Sequence, residues 1–202
     1  KFLSPSPGFG GSCFKKDILN LVYLCRFYNL EDAANYWEQV LFINDWQKER
    51  ISSCIIEKFY GTVSNKNILI LGFAFKSNTN DTRESPSIRI SKDLLENGAR
   101  LFINDPKVDK KQIEQELELK EGEIDQLSLG SWTYAENIYH SSKNVDAIII
   151  LTEWDSYKEL NWERISLNMR KPSWIFDTRN IVSKVDLAKL NINYWQVGKT
   201  NY

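Results

Sequence analysis

Between Asn67 and Val197 the chain sets short apolar runs between longer segments of helical periodicity: Asn67 to Leu71, Leu101 to Asn104, Val145 to Leu151, Trp174 to Phe176 and Tyr194 to Val197. Runs this short suit strands, and the stretches between them are long enough for the crossover helices that parallel pairing requires. The expected fold class is therefore α/β, an open, mostly parallel, Rossmann-like sheet with helices on both faces. In such sheets ligands bind beyond the carboxyl ends of the strands, so the residues after each strand are the ones to search for chemistry.

Ahead of the sheet, Ile18, Leu21, Val22 and Cys25 recur at helical spacing between Phe14 and Tyr28, and Asn29-Leu30 breaks the pattern. Glu31 to Tyr60 then runs for 30 residues without Gly or Pro, with Ala33, Trp37, Val40, Leu41, Ile51, Ile55 and Phe59 as its apolar positions. A helix that long needs partners on more than one side. It is expected to link two domains and to pack on its copy in a homodimer, with higher homo-oligomers open; the alternative is burial wholly within one chain. Gly61-Thr-Val-Ser-Asn65 is the natural boundary, giving 1–62 as an active-site loop with a central helical region and 63–202 as the sheet domain.

A net charge of −1 and a pI near 6.0 give no electrostatic case for nucleic acid or an anionic membrane. The apolar run Ala147 to Leu151 falls far short of the roughly 20 residues of a membrane helix. Three cysteines, without metal-like spacing or a secretory leader, point to a reducing compartment and hence the cytoplasm. His140 is the single histidine, so no metal site is expected, and a surface role suits it better than acid–base catalysis. The chain has no initiating Met and reaches its most informative segment almost at once, as an excised fragment would.

That segment is Gly8-Phe-Gly-Gly-Ser-Cys-Phe-Lys-Lys-Asp17. Its three glycines allow close backbone approach to a ligand directly ahead of a helix N-terminus. Cys13 then stands where free N–H groups and the helix dipole favour a thiolate, and Asp17, four residues on, shares its face. A carboxylate beside a thiol opposes thiolate formation, which a purely structural site has little reason to tolerate. A two-step reaction has one: the thiolate takes up a carbonyl and the carboxylate later helps water remove the acyl group. The structural reading, a small residue in a tight turn and a first-turn acid, stands equally on spacing alone. Lys1 to Pro7, with Ser4-Pro-Ser-Pro7, reads as a stiffened extended loop.

After the first strand, Gly72-Phe-Ala-Phe-Lys76 lacks the second glycine of a dinucleotide fingerprint and leads into a long polar loop. Ser85-Pro86 and Gly98 bracket a helix from about Pro86 to Asn97. Asp105 stands where a dinucleotide fold places its ribose-binding acid, but without the fingerprint it reads as a turn residue. Lys76, Arg83 and Arg179 fall at or near strand exits, and cations on one rim suit a diphosphate; the alternative for each is a surface ion pair. Thr152-Glu-Trp154 shares that rim and reads as a packing and capping group. Lys107 to Ile124 reads as a solvated helix and loop.

Gly8 to Asp17 resembles the active-site cysteine segment of the UDP-glucose 6-dehydrogenase family, within the UDP-glucose/GDP-mannose dehydrogenases. Phe73 to Pro86, then Thr152-Glu-Trp154 and Asp177-Thr-Arg179, resemble its nucleotide-sugar domain in the same order. The resemblance covers nearly the whole chain but leaves out the family's amino-terminal dinucleotide-binding domain. It implies a two-step NAD-dependent oxidation of UDP-glucose at C6, with Cys13 and Asp17 catalytic and NAD held mainly by the absent domain. It implies substrate contacts at Ser4, Pro5, Ser6, Pro7, Gly8, Phe9 and Gly10, largely through the backbone, and at Phe75, Lys76 and Arg179. Cys13, Phe14, Lys15, Lys16 and Arg83 would meet the cofactor, Arg83 at its phosphates. The fragment alone would bind UDP-sugar weakly and turn nothing over. Dehydrogenases of GDP-mannose or UDP-N-acetylmannosamine, a non-catalytic nucleotide-sugar-binding dimerisation module, and a thiol hydrolase are the alternatives; the last lacks a histidine near Cys13.

Overall fold

The computed structural model describes residues 4–182 and 190–199. Lys1 to Leu3, within the stiffened-loop reading, lie outside that range. Helices α1 (Phe14–Phe27) and α2 (Glu31–Lys58) come first. The chain continues through β1 (Asn67–Leu71), α3 (Pro86–Glu96), β2 (Arg100–Asn104), α4 (Lys110–Leu117), β3 (Ser131–Tyr134) and α5 (Ile138–Ser141). It ends with β4 (Ala147–Ile150), α6 (Asp155–Lys158), α7 (Trp162–Asn168), β5 (Trp174–Asp177) and β6 (Asn193–Gln196). The six strands form one sheet in the order β3-β2-β1-β4-β5-β6, every pairing parallel, where the sequence predicted a mostly parallel sheet. This is the doubly wound order, with its reversal between β1 and β4.

The central strands read as uninterrupted apolar runs because both faces are covered; Ile68 to Leu71 and Ala147 to Ile150 have no exposed surface. The edge strand β3, Ser131-Trp-Thr-Tyr134, buries only Trp132 fully and carries no such run, so it escaped the sequence reading. The helix after β1 starts as expected, with Ser85 accepting the Ser87 amide and Pro86 at the first position.

Helix α2 touches two separate cores. Near its start Ala34 packs with Ile18, Val22 and Cys25 of α1, while Ile51 and Ile55 join the core of the sheet. Arg26 holds the two helices together further out, reaching Glu38 and Glu31. The outer faces of the two helices and the turn between them leave Tyr23, Phe27, Tyr28, Tyr36, Phe42 and Trp46 more than half exposed. Cys25 is buried as expected; Cys54 is only half-buried, and that burial raises its thiol above the ordinary value. His140 is exposed on α5. Among the described residues no helix is long and apolar enough to cross a membrane.

Candidate active site

The parallel strands end in register, Leu71 beside Asn104 and Ile150, and Ile150 beside Asp177. Gly72, Asp105, Leu151 and Thr178 therefore emerge side by side. Gly72 is required: its φ is +98°, and a Cβ there would stand 2.3 Å from Thr152 Cβ.

From Gly72 to Phe75 every backbone polar group finds a partner in the fold. The Gly72 amide donates to the Asn104 carbonyl, and those of Phe73 and Ala74 donate to Asp105 Oδ2 at 2.7 and 3.0 Å. The Phe75 amide reaches the Asp81 carbonyl. On the carbonyl side, Ser87 donates to Gly72, Ser85 to Phe73, Thr152 to Ala74 and Arg179 Nη2 to Phe75. The loop presents the Phe75 ring at a fixed height, with the Lys76 ammonium 5.2 Å from its centroid.

Asp105 thus does more than the turn work read from the sequence. Its Oδ1 accepts the Lys107 and Val108 amides of its own turn, and its Oδ2 also accepts Trp154 Nε1 at 3.2 Å. A carboxylate taking five N–H donors while 2% exposed is a fastener between the exits of β1, β2 and β4. Thr152-Glu-Trp154 is fastened by the same means, with Glu153 Oε2 3.0 Å from Arg179 Nη1 in an ion pair.

Arg179 is placed by Asp177, whose buried carboxylate accepts the Arg179 and Val182 amides and the Tyr194 hydroxyl. Its Nε donates to the Leu151 carbonyl at 2.7 Å, so this arginine joins three strand exits. Burial pulls the guanidinium below its ordinary value, and the Glu153 carboxylate opposes that shift.

The glycine segment lies against this loop. The Gly11 amide donates to the Arg83 carbonyl at 2.7 Å, and Lys15 Nζ pairs with Glu84 at 2.8 Å. Gly11 has φ +85°, and a Cβ there would meet the Phe75 ring at 2.9 Å, so two motifs far apart in sequence touch only because one supplies glycine. On the other side, Asn44 of α2 binds both backbone groups of Phe9, at 2.7 and 3.2 Å, and Gln47 reaches the Ser6 carbonyl. Pro7 is buried, while Ser4 and Pro5 are exposed.

Cys13 is the N-cap of α1, exposed, with Ser12 Oγ 3.8 Å from its sulfur. The Asp17 amide bonds the Cys13 carbonyl, so the helical spacing that puts both side chains on one face is in place. Phe14 packs edge-on against Phe9 at 4.6 Å, and Lys16 is exposed. Arg83 is held by Asp81 through two bonds of 2.9 and 2.7 Å, and it lines an open cleft of about 450 Å³ with Gly11, Ser12, Lys15 and Lys16.

The structure therefore brings Cys13, the glycine loop, Phe75, Lys76, Arg83 and Arg179 to one end of the sheet. Sequence reasoning missed Asn44, Asp81 and Glu116. An asparagine in the middle of a long helical run was the available sign for the first, while Glu116, which accepts the Thr82 hydroxyl at 2.5 Å, sits in a charge run read as solvated.

Comparison with known proteins shows the family. Residues 69–184 match the UDP binding domain of the UDP-glucose/GDP-mannose dehydrogenase family and residues 1–46 its central domain. The chain is 48% identical to a UDP-glucose 6-dehydrogenase of Pongo abelii over 98% of its own length and 41% of that protein's. It is 44% identical to UDP-glucose 6-dehydrogenase 3 of Arabidopsis thaliana, over 98% of the chain and 43% of the relative. A solved UDP-glucose dehydrogenase from Pyrobaculum islandicum superposes with a TM-score of 0.67 at 28% identity, covering 94% of this chain and 38% of that one. The chain spans about two-fifths of the length of the curated relatives it matches. With both family domains matched in order along it, this chain belongs to the UDP-glucose/GDP-mannose dehydrogenase family.

Proposed function

We propose that this chain is the substrate-binding and cysteine-bearing part of an NAD-dependent enzyme that oxidises UDP-glucose to UDP-glucuronate. The observation that carries the reading is the seating of the Cys13 loop on the Phe75 loop, which sets an exposed nucleophile beside a rim carrying Lys76, Arg83 and Arg179. The loop from Ser4 to Gly10 offers backbone groups to the nucleotide, Phe75 a ring, and Lys76 and Arg179 positive charge. Relatives over nearly the whole chain are named UDP-glucose 6-dehydrogenases, which favours UDP-glucose over the other nucleotide sugars. Retention of both Cys13 and Asp17 argues against a module that only binds.

The residues fit a dinucleotide in one place and not another. Asp105, where a ribose-binding acid would stand, has all its capacity engaged by protein N–H groups, so the crevice of this sheet is not a dinucleotide site. The cleft beside Cys13, near Phe14, is lined by Lys15, Lys16 and Arg83 as well as Glu84 and Glu116, and its three cations suit the anionic side of NAD. When bound, NAD supplies the acceptor for both hydrides. Cys13 sulfur bonds C6 of the aldehyde as the thiol proton passes to the carbonyl oxygen, giving a thiohemiacetal that keeps the sugar on the enzyme. At the thioester level Asp17 takes a proton from water as its oxygen bonds C6, the C–S bond breaks, and the thiolate is released. The chain by itself turns nothing over.

Titration of this chain with UDP, GDP and NAD by calorimetry tests the substrate class. Weak binding with UDP tightest is expected, and tighter binding of GDP would overturn the assignment. In this proposal residues 1–62 form an active-site loop and central helical region, residues 63–202 the UDP-sugar-binding domain, and the exposed aromatic faces of α1 and α2 pack on a second copy. Light scattering at micromolar concentration is expected to give a dimer mass; a monomer would remove that part.

A further inference from the structure

Arg83 reaches outward while bound inward. Its Nε and one Nη2 hydrogen grip the two oxygens of Asp81 side by side, at 2.9 and 2.7 Å, and its backbone amide also donates to Asp81 Oδ1, at 3.0 Å. Asp81 is fixed in turn, because its amide donates to Thr79 and its carbonyl accepts the Phe75 amide. A guanidinium has two edges able to grip an oxyanion. Asp81 occupies the Nε edge only. The edge formed by Nη1 and the second Nη2 hydrogen is left for another anion, and the Arg83 side chain is 65% exposed where it lines the cleft beside Cys13.

We propose that Asp81 is a positioning residue for the cofactor: it aligns Arg83 so that the remaining edge of its guanidinium meets a diphosphate of the dinucleotide. The proposal rests on the reading of Arg83 as a cofactor contact and goes beyond it by assigning the residue that holds it ready. An unpaired arginine on a loop samples many rotamers, and fixing two of its N–H groups in advance removes most of that ordering from the binding step. The carboxylate also competes for the charge it orients, so the sign of its effect decides between alignment and competition.

Asp81→Asn isolates the grip. An asparagine keeps the oxygen that caps the turn at the Arg83 amide, so the loop survives, but it puts an NH2 where the second carboxylate oxygen stood. In the full-length protein, titration of NADH by its fluorescence is expected to show about tenfold weaker binding in Asp81→Asn, the scale of one charge-assisted two-point contact. UDP binding by calorimetry should stay within about twofold of wild type, since Phe75 bonds the backbone carbonyl of Asp81, which the substitution leaves in place, and Arg179 is held by Asp177 and Leu151. NADH binding that is unchanged or tighter overturns the proposal, as does equal weakening for NADH and UDP. Arg83→Ala separates the two levels. If it leaves NADH binding unchanged, the reading of Arg83 itself fails; if it weakens binding while Asp81→Asn does not, only the role of Asp81 fails. In the Arg83→Ala background, Asp81→Asn should add nothing, and a further tenfold loss there also overturns it.

Discussion

Cys13→Ser in the full-length protein is expected to abolish formation of the uronic acid, lowering it by roughly 10³-fold or more. The hydroxyl would occupy the same N-cap, yet an alcohol is intrinsically a far weaker nucleophile than a thiol. The single histidine, His140, is exposed on α5 and does not line the cleft beside Cys13. The first oxidation does not need the sulfur. The yield of NADH per sugar should therefore fall from two toward one, with aldehyde or its hydrate as product. Two NADH per sugar at an undiminished rate would refute Cys13 as the covalent nucleophile.

The second large effect concerns stability. Asp105→Ala removes the acceptor of five N–H donors, those of Phe73, Ala74, Lys107, Val108 and the Trp154 indole. With the site nearly sealed, the donors lose a charged partner and gain little water, so the variant is expected to be about 4 kcal/mol less stable. Urea unfolding followed by circular dichroism reads this as a lower midpoint at unchanged slope. A loss below about 1 kcal/mol would mean that water replaces the carboxylate and that the strand exits are held by other contacts. Asp105→Asn keeps one oxygen and should fall between.

The helices and inner strands were legible because each announces itself locally. Ser85-Pro86 starts α3, Asn29-Leu30 ends one helix and begins the next, and apolar runs covered on both faces read as strands. The edge strand β3 was hidden because Trp132 is its one fully buried side chain. Within the candidate site, glycine and cysteine were legible through their own chemistry. The fasteners were not: Asp105 meets Trp154 across 49 residues and Thr152 meets Ala74 across 78, and neither partner marks the other in sequence. Asp105 read alone is a turn residue, and the turn bonds to Lys107 and Val108 are indeed there. What sequence could not supply was the register of the sheet, which sets those exits next to each other.

The loop just ahead of Cys13 is moored at two points, at Phe9 to Asn44 of the long helix and at Gly11 to the Arg83 carbonyl beside the sheet. Three residues separate Phe9 from the nucleophile, too short a tether to absorb much slack. Any tilt of α2 against the sheet is consequently delivered to the sulfur as a displacement. The position of the thiol is thereby set jointly by the long helix and by the loop beside the sheet, and neither contact alone fixes it.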